Sequence, residues 1–147
     1  MLLSVRGKDL ISKADVYNQL NEGQQALYMF YAFHNHIHSP AELYWYTAFF
    51  MNEIRGWNGL LQGIHYYQAP QLLNVLEQVQ VIVTQKNKQA DGSWTEASVL
   101  DVDKDQALSD SISKLYPNYL AAAHHSIQLM NQHIRDNVEQ YAEIDGA

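Results

Sequence analysis

The chain has 147 residues, of which 47% are hydrophobic, and it carries a formal net charge of −7 with no cysteine. This length and apolar content predict one domain, spanning residues 1–147, with a real hydrophobic core. The negative charge argues against direct binding of nucleic acid, and the lack of cysteine excludes disulfides and thiolate chemistry. Since no apolar run is long enough to span a bilayer, we expect a soluble, cytoplasmic protein without membrane contact.

The first well-defined helix is predicted to open at Gln24, directly after a turn. Residues 26–33 are apolar on nearly every side, which is typical of a buried central helix. Upstream of it, Ser12 followed by Asp15 forms a capping pattern that predicts a short additional helix.

Ser39, Pro40 and Glu42 form the most specific local pattern in the chain, a capping box with proline at the first helical position. Proline disfavours helical geometry in the residue before it, so the preceding helix should end by His38. The helix that begins at Pro40 carries apolar residues at spacings of three and four. It should end near Gly56, because glycine suits the left-handed turn after a helix.

The middle of the chain contains one clear helix and one ambiguous segment. Three glycines between residues 56 and 63 predict a bend or a short irregular helix. Pro70 then starts an amphipathic helix. Its apolar face consists of Leu72, Val75, Leu76, Val79 and Ile82. Residues 79–102 form either a hairpin around Asp91 and Gly92 or a helix that frays into a polar loop. We favour the helix and loop, since an isolated hairpin is marginally stable.

The last third of the chain predicts two helices. Asp103 and Gln106 form a capping pattern, and the helix that they open should end before Pro117. The final helix repeats apolar residues every seven positions, at Leu120, Ile127, Ile134 and Tyr141. On this helix His125 and His133 should face away from the apolar stripe. Together these elements predict an all-α, single-domain helical bundle of about five to seven helices.

The histidines provide one possible site. His34 and His38 lie four residues apart, a spacing that places both on one helical face and can chelate a divalent transition metal. A third ligand would come from His65, His124 or His125 on another helix. The alternative is that these histidines only satisfy local hydrogen bonds, because no acidic residue lies in register to orient them. A metal-binding bundle is therefore the alternative function.

Other catalytic patterns are missing. Glu-x-x-His, which di-iron bundles require, does not occur. Residues 101–105 imitate the start of a calcium loop, but Gln106 stands where glycine is needed and Ile112 where a bidentate glutamate is needed. No Gly-x-Ser-x-Gly motif or phosphate-binding loop is present. We therefore expect a non-enzymatic protein with no catalytic residues and no cofactor.

Acidic residues outnumber basic ones sixteen to nine and crowd one segment. Its members are Asp91, Glu96, Asp101, Asp103, Asp105 and Asp110. The segment is either a solvated loop or an acidic face that binds a basic or DNA-binding partner. Asp101, Asp103 and Asp105 are the residues predicted to contact that partner.

Residues 27–67 hold twelve of the seventeen aromatic residues. One small core cannot readily hide so many rings, so some are expected to form an interface between proteins, such as that of a homodimer.

Residues 43–80 resemble a family of small acidic all-α bacterial proteins that includes a DNA-mimic protein. The resemblance consists of a glutamate, a glycine turn, aromatics and a helix, here Glu53, Asn58-Gly59-Leu60-Leu61-Gln62, Tyr66-Tyr67 and the helix from Pro70. The second glycine and the phenylalanine of the family's turn are missing, and so is its later arginine motif. The resemblance implies a helical fold and no catalysis, and it favours the interpretation in which the acidic face binds a partner.

Overall fold

The computed structural model describes residues 18–141, so the capping pattern at Ser12 and Asp15 lies outside the described residues. No strand is present in this part of the chain. Its helices are α1 (Glu22–His34), α2 (Pro40–Asn52), α3 (Trp57–Tyr66), α4 (Pro70–Asn87), α5 (Asp101–Lys104), α6 (Gln106–Asp136) and α7 (Val138–Tyr141). The prediction of an all-α helical bundle is confirmed.

Helix α1 packs most extensively on α3. It begins at Glu22, two residues before the predicted start, because Asn21 forms the N-cap. The Asn21 side chain accepts a hydrogen bond from the Gln24 amide at 2.8 Å, and the Gln24 side-chain oxygen accepts one from the Asn21 amide at 3.0 Å. Gly63 of α3 allows close approach, since a Cβ there would lie 2.9 Å from the Ala26 Cα.

Helix α2 begins as predicted. The Ser39 hydroxyl accepts from the Glu42 amide at 3.1 Å, and Pro40 occupies the first turn. The helix ends at Asn52, however, rather than near Gly56. The prediction of a left-handed Gly56 is wrong, because Arg55 takes that conformation with φ of 57°.

Gly56 is instead required by packing. It precedes α3 as its N-cap with φ of −101°. A Cβ at this position would lie 2.8 Å from the Met29 Cε and 2.8 Å from the Phe50 Cε1. Steric crowding between α1 and α2 therefore explains the glycine. The backbone conformation at this position does not require it. Helix α3 itself is regular over ten residues.

The helix-and-loop interpretation of residues 79–102 is confirmed. Helix α4 continues to Asn87, and a loop follows. The loop turns at Gly92, which has φ of 89°, and one isolated antiparallel bridge joins Lys88 to Trp94. The predicted turn is thus present, but the described residues on either side of it do not form the two strands of a hairpin. We name residues 88–100 the α4–α5 loop.

Helix α6 departs from its predicted start and its predicted end. Asp105, rather than Asp103, is its N-cap and accepts from the Leu108 amide at 3.1 Å. The helix then continues through Pro117, where we expected it to end. Pro117 is exposed, and α6 is anchored on both sides of it by buried residues that pack on α4 and α2. These are Leu108, Ile112, Leu115, Tyr119, Ala122, Ala123, Ser126 and Met130. Tertiary packing therefore outweighs the lost backbone hydrogen bond.

The predicted apolar stripe of α6, which repeats every seven positions, is displaced by about one position. Leu120 is 43% exposed, whereas Tyr119 is fully buried. His133 also departs from the prediction, since it lies half-buried against Tyr66 and Tyr67. Tyr141 is not in α6 and belongs to α7, which follows a break at Asn137.

The core holds the aromatic residues of α1, α2 and α3. Phe33 lies at its centre, with edge-to-face contacts to Phe50, Trp57 and Tyr119 at ring-centroid distances of 5.4, 5.7 and 6.3 Å. All twelve aromatics of residues 27–67 are buried or half-buried. Among residues 18–141, no helix is long and apolar enough to cross a membrane.

Candidate functional site

The structure does not bring the predicted metal ligands together. Helix α1 ends at His34, and His38 lies in the turn beyond it, so the two do not share one helical face. His65 and His124 are both exposed. Over residues 18–141, no group of three or more histidine or acidic side chains could hold a metal ion.

His34 has a local partner instead. Its Nδ1 lies 2.7 Å from the hydroxyl of Tyr119, and its ring stacks on Phe30 at 5.2 Å. Burial lowers the pKa of His34, and the nearby His38 lowers it further. His34 is therefore held neutral and joins the end of α1 to the middle of α6.

His133 completes a hydrogen-bonded chain at the opposite end of α1. The chain runs from the Gly23 carbonyl to the Tyr67 hydroxyl (2.8 Å), the Tyr141 hydroxyl (2.9 Å) and His133 Nδ1 (2.8 Å). A carbonyl only accepts, so Tyr67 donates to Gly23, Tyr141 donates to Tyr67, and the Nδ1–H of His133 donates to Tyr141. All three hydrogen bonds can form together only when His133 carries a proton on Nδ1.

The same region fastens α7 to the start of α1. The side chains of Asn21 and Gln24 both donate to the Gln140 carbonyl, each at 2.9 Å. Gln24 is buried, and its amide is thereby satisfied. These contacts and the tyrosine chain have structural roles.

The three predicted partner-binding aspartates have different environments. Asp105 caps α6 and pairs with Lys86 at 2.8 Å, and Lys86 and the Leu108 amide lower the pKa of its carboxyl group. Asp101 accepts from a buried hydroxyl, that of Tyr44. Asp103 alone of the three is exposed and without a partner among the described residues.

A buried polar network fixes the α4–α5 loop. The Tyr44 hydroxyl donates to Asp101 at 2.7 Å and accepts from the Asn87 side-chain amide at 3.0 Å. The Asn87 side-chain oxygen accepts from the Thr95 hydroxyl at 3.1 Å, and the Asp101 carboxylate accepts from the Ser98 amide at 3.0 Å. Burial and the Asp101 hydrogen bond raise the pKa of Tyr44, so the hydroxyl remains a donor.

This fixed loop and one face of α2 enclose an open groove. Glu42, Trp45, Phe49 and Glu53 contribute from α2 and its C-cap, at helical spacings of three and four. The Trp45 and Phe49 rings stack at 5.4 Å with 18° between their planes. The α4–α5 loop contributes the opposite wall, formed by Trp94, Thr95, Glu96, Ala97, Ser98 and Val99.

The groove is both aromatic and acidic. Glu42 and Glu53 lie at its two ends and Glu96 lies across from α2. Of the described residues that line the groove, none is lysine, arginine or histidine. Glu53 and Glu96 are exposed and form no ion pair among residues 18–141, so their charge faces the solvent. We name this feature the acidic aromatic groove.

This groove is not among the sites predicted from the sequence. The spacing of Glu42, Trp45, Phe49 and Glu53 on one helical face was visible in the sequence and could have identified one wall. Comparisons with protein-family models, curated proteins and solved structures find no match for this chain. Function is therefore inferred from the geometry of the described residues.

Proposed function

We propose that the protein is non-enzymatic and binds an extended, basic segment of a partner protein in the acidic aromatic groove. One observation supports this most directly: the groove combines three carboxylates with exposed aromatic surface and has no basic lining residue among those described. Carboxylates attract a cationic segment over a distance, and aromatic faces stabilise cations in contact.

The dimensions of the groove suggest the length of the segment. Glu42 and Glu53 are eleven residues apart, which corresponds to about 16 Å along a helix. An extended chain covers this distance in about five residue steps at about 3.3 Å each. A segment of about six residues with a basic residue near each end therefore matches the groove.

The acidic balance of the whole chain extends the proposal beyond the groove. The exposed carboxylate of Asp103 adds to the negative field that attracts a basic partner. Asp101 and Asp105 contribute indirectly, because their contacts with Tyr44 and Lys86 hold this part of the chain in place. A DNA-binding protein is one class of basic partner, in keeping with the resemblance noted above. The same proposal includes a cytoplasmic location, with which the lack of cysteine is compatible.

Titration with a short basic peptide tests the proposed function. The probe is Lys-Ala-Lys-Ala-Ala-Lys, blocked at both ends, measured by calorimetry and by NMR mapping of backbone and indole N–H signals. Binding should be detectable at about 0.01 M salt and lost near 1 M, where the Debye length falls from about 30 Å to about 3 Å. The shifted signals should belong to Trp45, Trp94 and their neighbours.

Charge-neutralised variants provide the control. Glu53→Gln with Glu96→Gln should weaken binding about three- to tenfold at low salt. Glu77→Gln with Glu139→Gln removes the same charge from exposed positions outside the groove lining and should have a smaller effect. Equal losses in the two double variants, or signal shifts elsewhere, would contradict the proposal.

A further inference from the structure

We infer that one part of the acidic aromatic groove binds an arginine side chain of the partner, in preference to lysine. This inference rests on the proposed function and specifies the ligand. This part of the groove extends from its middle to its Glu53 end, lies between Phe49 and Trp94, has a volume of about 430 Å³ and is bordered by Glu53 and Glu96. That volume is within the range of sites that hold small organic groups.

The arrangement of the rings favours a planar cation. Trp45 and Phe49 are one helical turn apart and stack on each other with 18° between their planes, so their facing sides cover each other and the rest of the two rings lines the groove. Trp94 supplies a second aromatic surface across the groove. A guanidinium group stacks on such surfaces through its flat face, whereas an ammonium group makes only a point contact.

The carboxylates of Glu53 and Glu96 complement the edge of a guanidinium group. Glu53 and Glu96 carry exposed carboxylates beside the rings, and neither is used by another described side chain. A guanidinium offers several N–H donors in one plane and binds a carboxylate through two parallel hydrogen bonds. It is also less strongly hydrated than an ammonium group, so moving it onto an aromatic surface costs less.

The chain itself provides an example of a cation on the Trp94 ring. The ammonium group of Lys88 lies 5.7 Å from the ring centroid of Trp94. Trp94 is about one-third exposed, so its ring remains accessible to a second group. The ring is therefore already positioned to interact with positive charge.

Three peptides of equal length test the inference. They are Lys-Ala-Arg-Ala-Ala-Lys, the same sequence with lysine in place of arginine, and the same sequence with trimethyllysine at that position, all blocked at both ends. The net charge is the same in each, so differences report the chemistry of one side chain. The arginine peptide should bind about three- to tenfold more tightly than the lysine peptide, measured by calorimetry at low salt.

Two variants connect this preference to the groove. Trp94→Leu and Phe49→Leu keep an apolar side chain and remove a ring, and each should reduce the arginine preference while thermal unfolding confirms the fold. Equal binding of the arginine and lysine peptides would overturn the inference and leave the proposed function intact. Tighter binding of trimethyllysine, or an arginine preference unchanged in both variants, would also overturn it. Failure of all three peptides to bind would remove the proposed function and this inference together.

Discussion

The hydroxyl of Tyr44 is a single buried group on which the shape of the groove depends. Tyr44→Phe removes the donor to Asp101 and the acceptor of the Asn87 amide, so each of these side chains loses one of its hydrogen bonds. We expect the free energy of unfolding to fall by about 1–3 kcal/mol and peptide binding to weaken as the α4–α5 loop loses its attachment. Urea denaturation and calorimetry measure the two effects.

The matched control is Tyr116→Phe. Tyr116 is half-buried on α6, and its hydroxyl makes no hydrogen bond within residues 18–141. Its removal should change stability by much less. If both variants unfold at the same urea concentration, the Tyr44 network does not stabilise the loop.

His34 should make stability depend on pH. Its pKa in the folded protein is lowered from 6.5, so in the window below 6.5 the unfolded chain binds a proton that the folded protein does not. The contribution of neutral His34 is therefore fully present above about pH 6.5 and is lost as the pH falls through the folded-state pKa. Denaturation at pH 7.5 and at pH 5.5 measures the change.

Replacement of the imidazole isolates this effect. His34→Gln should make stability less dependent on pH over that window, whereas His125→Gln, at an exposed position, should behave like the wild type. A His34→Gln protein with unchanged pH dependence would show that the imidazole titrates alike in both states.

At the scale of the element, Pro117 is the clearest conflict between local preference and packing. Proline inside a helix costs about 3 kcal/mol relative to alanine. Pro117→Ala should therefore raise the free energy of unfolding, by about 1–3 kcal/mol, because the site is exposed and no core contact is lost. Asn118→Ala, at the adjacent exposed position, should change it by less than about 1 kcal/mol. Destabilisation by Pro117→Ala would mean that α6 needs the proline to fit α4 and α2.

Helix starts were predictable where the pattern is local. Ser39 and Pro40 define the start of α2 within a few residues of sequence, and Pro70 does so for α4. The predictions failed where distant contacts decide. Arg55 takes the left-handed turn whereas Gly56 packs against Met29 and Phe50, and α6 passes Pro117 because buried residues hold it on both sides.

The candidate site was predictable on one wall only. Glu42, Trp45 and Phe49 share a helical face by spacing alone. Trp94 and Glu96 come opposite them because Tyr44 bonds Asp101, a contact between residues 57 positions apart. No short sequence pattern contains that information.

At the scale of the whole molecule, the homodimer is a prediction that light scattering can test. Two associated copies would give twice the mass of the 16.9 kDa chain. We expect the doubled mass at micromolar concentration without peptide, and it should persist at high salt if the copies associate through apolar surface. A monomer mass under both conditions would contradict the homodimer.

The attachment of α7 to the start of α1 has a topological consequence. Residues 21 and 140 are hydrogen-bonded neighbours, so the described chain closes on itself like a ring. The connectivity of the chain can therefore be cut elsewhere without separating these contacts. A circular permutant that joins Ala147 to Met1 and begins at Asp91, in the exposed turn of the α4–α5 loop, should fold with the same helical circular dichroism spectrum. Loss of that spectrum would show that folding needs the original order of the segments along the chain, and not only the set of contacts between them.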